Sequence, residues 1–235
     1  MPASIAYVLS TRPLSGTLIE EAAAKGVTID VVPFVGTTKL KDETLTKRLG
    51  ELVKRPVTAV FTSVNAVTAI EGEESPAWKI FCISGATRQA VSERFGEHTI
   101  AGTAGSAKEL AETIIRNQEA PNQLWFFCGD RRREELPESL KAAGWQVHEV
   151  IVYRTILTPH RIDKAYDAIA FFSPSAVESF FSMNTIQPHI PLFAIGRTTA
   201  AALQQKCSNP VTVSELPDEK ILIRQIINNS QHRST

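Results

Sequence analysis

Hydroxyl side chains recur at one kind of position in this chain of 235 residues, the point where a short apolar run gives way to a helical pattern. Ser63 and Ser173 occupy such positions, as do Thr87, Thr198 and Thr199. Backbone N–H groups without intrahelical partners collect there, and the helix dipole favours a negative charge. N-capping accounts for serine and threonine at a helix start equally well. Two roles therefore stay open for each side chain, capping and the binding of an anion.

Basic side chains follow another apolar run, Leu124–Cys128, in the segment GDRRREEL at residues 129–136. A guanidinium group is suited to bidentate binding of a carboxylate or a phosphate. Arg131 and Arg132 are therefore candidate anion-binding residues, and Arg12, which follows the first apolar run, is another. The alternative is pairing with the neighbouring glutamates at a solvated helix start, and it applies to at least one arginine of the cluster.

Tyr153 lies in an unusually long extended segment, Gln146–Leu157, and is one of three tyrosines in the chain. A tyrosine that faces a cleft can donate a proton or a hydrogen bond to a leaving hydroxyl group. The alternative is packing between neighbouring strands, and spacing alone favours that alternative.

Composition and spacing argue against several other kinds of site. A formal net charge of zero is unlike that of a nucleic-acid-binding protein, which usually carries a basic surface. Glycine-rich nucleotide-binding motifs and a GxSxG nucleophile elbow are missing from the sequence. Cys82, Cys128 and Cys207 form no CxxC pair, and the histidines show no metal-ligand spacing. We therefore expect no metal, no cofactor and no nucleic-acid partner.

The distribution of apolar residues bears on the cellular location of the protein. No apolar run approaches the roughly 20 residues that span a bilayer. The first residues, Met1–Ile5, lack the basic and long apolar regions of a signal peptide. We therefore expect a cytoplasmic protein without membrane contact.

Apolar runs alternate with helical patterns along the chain, which predicts parallel sheets covered by helices on both faces. Thr28–Val35, for example, is predicted to be one strand, and Thr199–Lys206 a helix. One phrase occurs twice: residues 61–67 read FTSVNAV, residues 171–177 read FFSPSAV, and each copy precedes a second strand–helix unit. Such a repeat predicts two similar α/β units.

The positions of the strands predict that one unit is inserted in the other. The second copy of the phrase has only two further strands after it, so the N-terminal strands are needed to complete its sheet. We expect two flavodoxin-like α/β domains and a two-stranded β linker, with these bounds: a discontinuous domain of residues 1–35 and 158–235, an inserted domain of residues 38–151, and linker strands at about 34–37 and 152–158. Ligands bind beyond the carboxyl ends of parallel strands. The hydroxyl side chains should therefore face each other across a cleft, with Tyr153 on a joining strand.

A set of motifs resembles those of the uroporphyrinogen-III synthase family and follows that family's order from residue 9 to about residue 203. The motifs are Ser10–Pro13, Phe61–Val67, Arg132–Leu136, Val150–Thr155, Phe172–Val177 and Ala194–Ala200. Each motif alone is short. The ordered set is specific, above all the Tyr-x-Thr strand that is followed by the Ser-Pro-Ser and Gly-x-Thr-Thr segments.

The resemblance implies two α/β domains joined by a two-stranded linker. It implies a lyase that cyclises the linear tetrapyrrole hydroxymethylbilane to uroporphyrinogen III in haem biosynthesis, with loss of water and inversion of ring D. It implies that neither a metal nor a cofactor takes part. It also implies a monomer that makes transient contact with the upstream deaminase.

The resemblance also implies roles for particular residues. Tyr153 would assist departure of the hydroxyl group. The residues that would bind substrate are Arg12, Thr62, Ser63, Asn65, Thr87, Arg131, Arg132, Ser173, Ser175, Gly196, Thr198 and Thr199. Ser84 departs from the family's pattern, which more often has glycine, so the approach of the backbone to the ligand is expected to differ there.

Two other functions are compatible with two α/β domains. One is a non-enzymatic protein that closes around a small anion, as periplasmic binding proteins do, and the lack of a signal peptide argues against it. The other is a nucleotide-sugar-type transferase, and the lack of acidic metal-binding and nucleotide motifs argues against it.

Overall fold

The structure is a computed structural model, and it describes residues 6–70, 77–117 and 123–232. The strands are β1 (Ala6–Ser10), β2 (Val27–Val31), β3 (Val35–Lys39), β4 (Thr58–Phe61), β5 (Lys79–Ile83), β6 (Ile100–Ala104), β7 (Gln123–Gly129), β8 (Gln146–Leu157), β9 (Ala168–Phe171), β10 (Leu192–Ala194) and β11 (Val211–Val213). The helices are α1 (Gly16–Ala24), α2 (Glu43–Val53), α3 (Val64–Ala69), α4 (Ala86–Phe95), α5 (Ala107–Arg116), α6 (Glu135–Ala142), α7 (Pro174–Phe181), α8 (Arg197–Gln204) and α9 (Glu219–His232), with a 3-10 helix at Glu97–Thr99. The fold is therefore mixed α/β, with strands and helices in alternation.

Residue contacts divide the chain into two compact units. Unit 1 consists of Met1–Gly36 and Ile156–Thr235, and unit 2 is the continuous segment Thr37–Thr155. The boundaries fall inside β3 and β8, which are neighbouring strands. The chain thus passes from one unit to the other twice, on adjacent strands.

The sheet of unit 1 is parallel and has the spatial order β11-β10-β9-β1-β2. Numbered along the chain, this is the order 2-1-3-4-5 that flavodoxin-like folds have. Its inner strands β9 and β10 are continuous apolar runs that are buried along their whole length, because helices cover both faces. Since β1 leads outward to β2 and β9 leads to β10 on the other side, the topological switch point lies between β1 and β9.

The sheet of unit 2 has the order β3-β8-β7-β4-β5-β6, and β4 to β8 pair in parallel. If β4 to β8 are numbered 1 to 5 along the chain, their spatial order is 3-2-1-4-5. The flavodoxin-like order that was expected for this unit is therefore wrong. The reason is that α5 returns the chain across the sheet, so that β7 lies beside β4 and not at the outer edge. The switch point of unit 2 is therefore between β4 and β7.

An aromatic cluster fills one face of the unit 2 sheet. Phe61 on β4 stacks on Phe127 on β7 with ring centroids 5.0 Å apart, and Trp78 stacks on Phe127 at 5.1 Å. The indole N–H of Trp78 donates to the carbonyl oxygen of Leu52 at 3.0 Å, so this buried ring leaves no polar atom unpaired. These rings pack β4 and β7, the two strands that flank the switch point, firmly against the core of unit 2.

Several predicted elements are confirmed. The long strand Gln146–Leu157 forms as one strand, and both copies of the repeated phrase form strand–helix–strand–helix units, β4–α3–β5–α4 and β9–α7–β10–α8. Glycines end α1 and α6 in the left-handed conformation, at φ 78° for Gly26 and 84° for Gly144.

The prediction of one strand over Thr28–Val35 is wrong. β2 ends at Val31, and β3 begins at Val35 in the other sheet. Pro33 lies between them and supplies no N–H group to a sheet, which suits the change of sheet at this point. The helix predicted over Thr199–Lys206 begins earlier, at Arg197, because Gly196 takes the N-cap position.

None of the helices that the structure describes is long and apolar enough to cross a membrane. Within the same residues, no three histidine, cysteine or acidic side chains lie close enough together to hold a metal ion.

Candidate active site

A pocket of about 420 Å³ lies in unit 2 at the carboxyl ends of its strands. Its lining residues are Thr62, Ser63, Ile83, Gly105, Ser106, Ala107, Phe126, Cys128, Gly129, Arg131, Arg132, Arg133, Glu135, Leu136 and Tyr153. They come from the ends of β4 to β7 and the loops that follow, from the starts of α5 and α6, and from β8. The pocket thus surrounds the β4/β7 switch point, where ligands bind in sheets of this kind.

Five predicted site residues meet in this pocket: Thr62, Ser63, Arg131, Arg132 and Tyr153. Asn65 and Thr87, also predicted for this unit, lie elsewhere in the helices that follow β4 and β5. Asn65 is exposed in α3, whereas Thr87 is buried in the first turn of α4.

The Tyr153 ring lies directly against the backbone of Gly129. A Cβ atom at Gly129 would be 2.5 Å from two ring carbons of Tyr153 and 2.9 Å from its hydroxyl oxygen. Real Cβ atoms essentially never come so close to another atom, so any side chain at position 129 would displace the ring. Glycine is therefore required for the observed position of Tyr153.

A bulge between β7 and β8 fixes the backbone of Tyr153. Cys128 pairs with Ile151 but Gly129 pairs with Tyr153, so β8 contains one extra residue at this point. The Asp130 N–H donates to the Tyr153 carbonyl at 3.2 Å, and the Thr155 N–H donates to the Asp130 carboxylate at 2.8 Å. These bonds hold the tyrosine where its ring packs on the aromatic core and also lines the pocket.

Ser63 is an N-cap. Its hydroxyl oxygen accepts a hydrogen bond from the Asn65 N–H at 3.2 Å at the start of α3. Ser106 does the same for α5, accepting from the Glu109 N–H at 3.2 Å. A capping hydroxyl keeps its own hydrogen for donation, so capping and binding a ligand are compatible roles.

The arginines of residues 131–133 have different surroundings. Arg132 is half-buried and forms ion pairs with Glu149 on β8 and with Glu134, the latter at 3.3 Å. Arg131 and Arg133 are exposed at the pocket. The pairing with glutamate that the sequence left open therefore applies to Arg132.

The pocket also contains a thiol that stays protonated at neutral pH. Burial raises the pKa of Cys128 to about 12, although the charge of Arg132 acts in the opposite direction. Burial likewise raises the pKa of Cys82, on β5, to about 11. Since the thiolate is the reactive form, both cysteines behave as small apolar residues.

In unit 1, Arg12 lies at the β1/β9 switch point. Its guanidinium carbon is 4.6 Å from the centroid of the Phe172 ring, which follows β9. The same guanidinium forms an ion pair with Glu219 at the start of α9. Arg12 is thus held over an aromatic face at the carboxyl edge of the sheet, with about half of its side chain exposed.

The other predicted residues of unit 1 follow β9 and β10. Ser173 caps α7 by accepting from the Ala176 N–H at 3.1 Å, and Ser175 is buried in the first turn of that helix. Gly196 is the N-cap of α8, Thr198 is exposed and Thr199 is buried. All of them therefore lie at the carboxyl edge, as their positions in the sequence predicted.

Ten of the fifteen lining residues of the unit 2 pocket were not singled out as binding residues from the sequence, among them Gly105, Ser106, Gly129 and Arg133. Gly105 and Ser106 follow β6, and Gly129 ends β7, so each satisfies the rule that ligands bind at carboxyl strand ends. Applying that rule to the end of β6 as well would have found Gly105 and Ser106.

Two solved structures share this fold. The structure of uroporphyrinogen-III synthetase from Helicobacter pylori matches with a TM-score of 0.65 at 14% identity, covering 95% of this chain and 99% of that one. A mutant uroporphyrinogen III synthase from Thermus thermophilus matches with a TM-score of 0.55 at 18% identity, covering 97% of this chain and 99% of that one. At these identities the likeness concerns the fold alone.

Sequence comparison gives the family. The uroporphyrinogen-III synthase of Saccharomyces cerevisiae is 26% identical over 154 residues, which are 55% of this chain and 56% of the yeast protein. The chain thus matches about half the length of that relative. The family model described as "Uroporphyrinogen-III synthase HemD" matches residues 16–224, nearly the whole chain and both units. The protein therefore belongs to the uroporphyrinogen-III synthase family.

Proposed function

We propose that this protein is a lyase that cyclises hydroxymethylbilane to uroporphyrinogen III, with loss of water and inversion of ring D, in haem biosynthesis. The observation that supports this most is the unit 2 pocket, in which Tyr153 lies with Thr62, Ser63 and the arginine segment at the switch point. The family match covers every one of these residues and supports hydroxymethylbilane as the substrate.

The proposed chemistry suits a site without an activated nucleophile. The substrate is an electron-rich pyrrole chain, and its hydroxymethyl group ionises with little help. Left alone, such a chain closes without inverting ring D. The enzyme must therefore control the conformation of the chain, so positioning accounts for much of the catalysis.

Each part of the carboxyl edges has a role in this proposal. Tyr153 donates a hydrogen bond or a proton to the departing hydroxyl group, which leaves as water. Backbone N–H groups at helix starts, the predicted serine and threonine hydroxyls, Arg12 and the arginine segment of residues 131–133 together bind the carboxylates of the substrate. The carboxylate-binding residues in this proposal include Asn65, Thr87, Ser173, Ser175, Gly196, Thr198 and Thr199.

The proposal extends to the organisation of the protein. We propose that units 1 and 2 act as two α/β domains and that β3 and β8 serve as the linker between them. Domains joined by short linkers move relative to each other by default. The resemblance of the motifs further supports a cytoplasmic monomer that receives its substrate by transient contact with the upstream deaminase.

A non-enzymatic protein that binds small anions is the second candidate. The carboxyl edges with their helix starts and arginines would serve such a protein equally well. Membership of the uroporphyrinogen-III synthase family disfavours it.

One experiment separates the two functions. The protein is mixed with freshly prepared hydroxymethylbilane, and the products are separated as type I and type III isomers. We expect type III from the protein and type I from the matched sample without protein, in which the substrate closes spontaneously. Type I alone in both samples would refute the proposed enzyme.

Gly196 offers a test of binding in unit 1 that does not disturb the fold. Its φ of −174° and ψ of 173° are extended backbone that alanine also adopts, and an added Cβ would meet no atom within 4 Å. We expect Gly196→Ala to lower the melting temperature by only about 2 °C, because alanine is a poorer N-cap residue than glycine. If the N–H groups that start α8 bind a carboxylate, the added methyl group hinders its approach and KM rises about tenfold. An unchanged KM would remove Gly196 from the binding site.

A further inference from the structure

The arginine segment contains three cations with different partners. Arg132 is paired with two glutamates, as described above. Arg131 is exposed and takes part in an interaction of its own. Arg133 is exposed and lines the pocket, and among the residues that the structure describes it has no acidic group within ion-pair distance.

The charge of Arg132 is matched inside the protein. Glu149 forms ion pairs with both Arg132 and Lys141, the latter at 3.1 Å, and Glu134 lies 3.3 Å from Arg132. The side chains of Arg132 and Glu149 are only 22% and 20% exposed. Separating this partly buried pair is costly, because it would leave Arg132 with Glu134 alone, whose side chain is half-exposed. Arg132 is therefore poorly placed to exchange Glu149 for a substrate carboxylate.

Arg133 has the opposite character. It adjoins the same pocket at the same strand end but keeps its five N–H donors available to a ligand. Glu135 is the acidic residue in the pocket lining, so a carboxylate that enters is repelled by it unless a cation lies close by. A guanidinium group that has no acidic partner among the described residues supplies that cation without breaking an ion pair.

We propose that Arg133 is the residue of this pocket that binds a substrate carboxylate, and that Arg132 is a positioning residue that fastens the segment to β8 through Glu149. This inference rests on the proposed function, since it takes the carboxylates of hydroxymethylbilane as the ligand. It assigns different roles to two arginines that the sequence alone cannot distinguish.

The test of Arg133 compares KM with kcat. Arg133→Gln is expected to raise KM for hydroxymethylbilane about tenfold, with kcat, melting temperature and type III product unchanged, because a lost carboxylate contact affects ground state and transition state equally. Arg133→Lys should recover part of the loss, since it keeps the charge without the bidentate geometry. Arg116→Gln is the matched control, because Arg116 is exposed at the end of α5 and bonds to the Glu112 carbonyl.

The test of Arg132 measures stability. Arg132→Gln is expected to lower the melting temperature by about 5 °C. Arg132→Gln/Glu149→Gln should recover part of that loss, because the mostly buried Glu149 carboxylate is then removed and only the half-exposed Lys141 and Glu134 lose a partner. An unchanged KM in Arg133→Gln would overturn the inference, as would a raised KM at full stability in Arg132→Gln. These results are distinct from failure of the proposed function, in which the wild-type protein itself yields only type I product.

Discussion

Replacing Tyr153 with phenylalanine is expected to lower kcat about a hundredfold, which is within the range for loss of a general acid. Tyr153 lines the pocket, and it also packs against the hydrophobic core cluster of unit 2 that contains Phe61 and Phe127. Phenylalanine keeps the ring and removes only the donor. The melting temperature should therefore change little, and steady-state kinetics with separation of isomers would measure the effect.

Tyr166→Phe provides the matched control for this variant. The Tyr166 hydroxyl donates to the Asp30 carboxylate at 2.9 Å, and burial together with this bond raises the pKa of Tyr166 to about 12. Its loss should cost about 1 kcal/mol of stability and leave kcat unchanged. If Tyr153→Phe retained wild-type turnover, the tyrosine would have a packing role only.

Adding a methyl group at Gly129 is expected to impair the enzyme through Tyr153. The new Cβ would lie 2.5 Å from the tyrosine ring, so the ring must shift. Forcing such a shift in a packed site costs about 1–3 kcal/mol. Because the hydroxyl group moves with the ring, kcat should also fall, by about tenfold or more.

Gly50→Ala is the control for Gly129→Ala. Gly50 is exposed within α2, and an added Cβ there would meet no atom within 4 Å. Alanine should be neutral there or stabilise the protein by up to about 1 kcal/mol, because it is the better helix former. Combining Gly129→Ala with Tyr153→Ala should give less than the sum of the separate losses in stability, since the clash is then absent. Additive losses would contradict the proposed contact.

Much of the fold follows from local sequence patterns. Continuous apolar runs such as Leu124–Cys128 predicted buried parallel strands, and the structure has β7 there. Gly26 and Gly144 predicted the ends of two helices because few other residues adopt their conformation. The rule of carboxyl strand ends then placed Ser63 and the arginine segment at one edge, where they do line a pocket.

The remaining features depend on contacts between distant parts of the chain. The order of strands in unit 2 is set by where α5 returns the chain, which no local pattern encodes. The pairing of Arg132 with Glu149 joins residues on different elements, so the sequence could not show which arginine is engaged. The contact of Gly129 with Tyr153 depends on a one-residue bulge, and periodicity does not reveal such an irregularity.

The discontinuity of unit 1 has a consequence for how the protein is made. Its strand β1 pairs with β9, and the Tyr7 N–H donates to the Asp167 carboxylate across 160 positions of sequence. During synthesis, β1 and β2 can pair with each other, but β1 must wait for β9 while the whole of unit 2, which is continuous, is synthesised and can fold. The sheet of unit 1 therefore stays incomplete until β9 has been made, and the apolar strand surface that is exposed in the meantime favours aggregation.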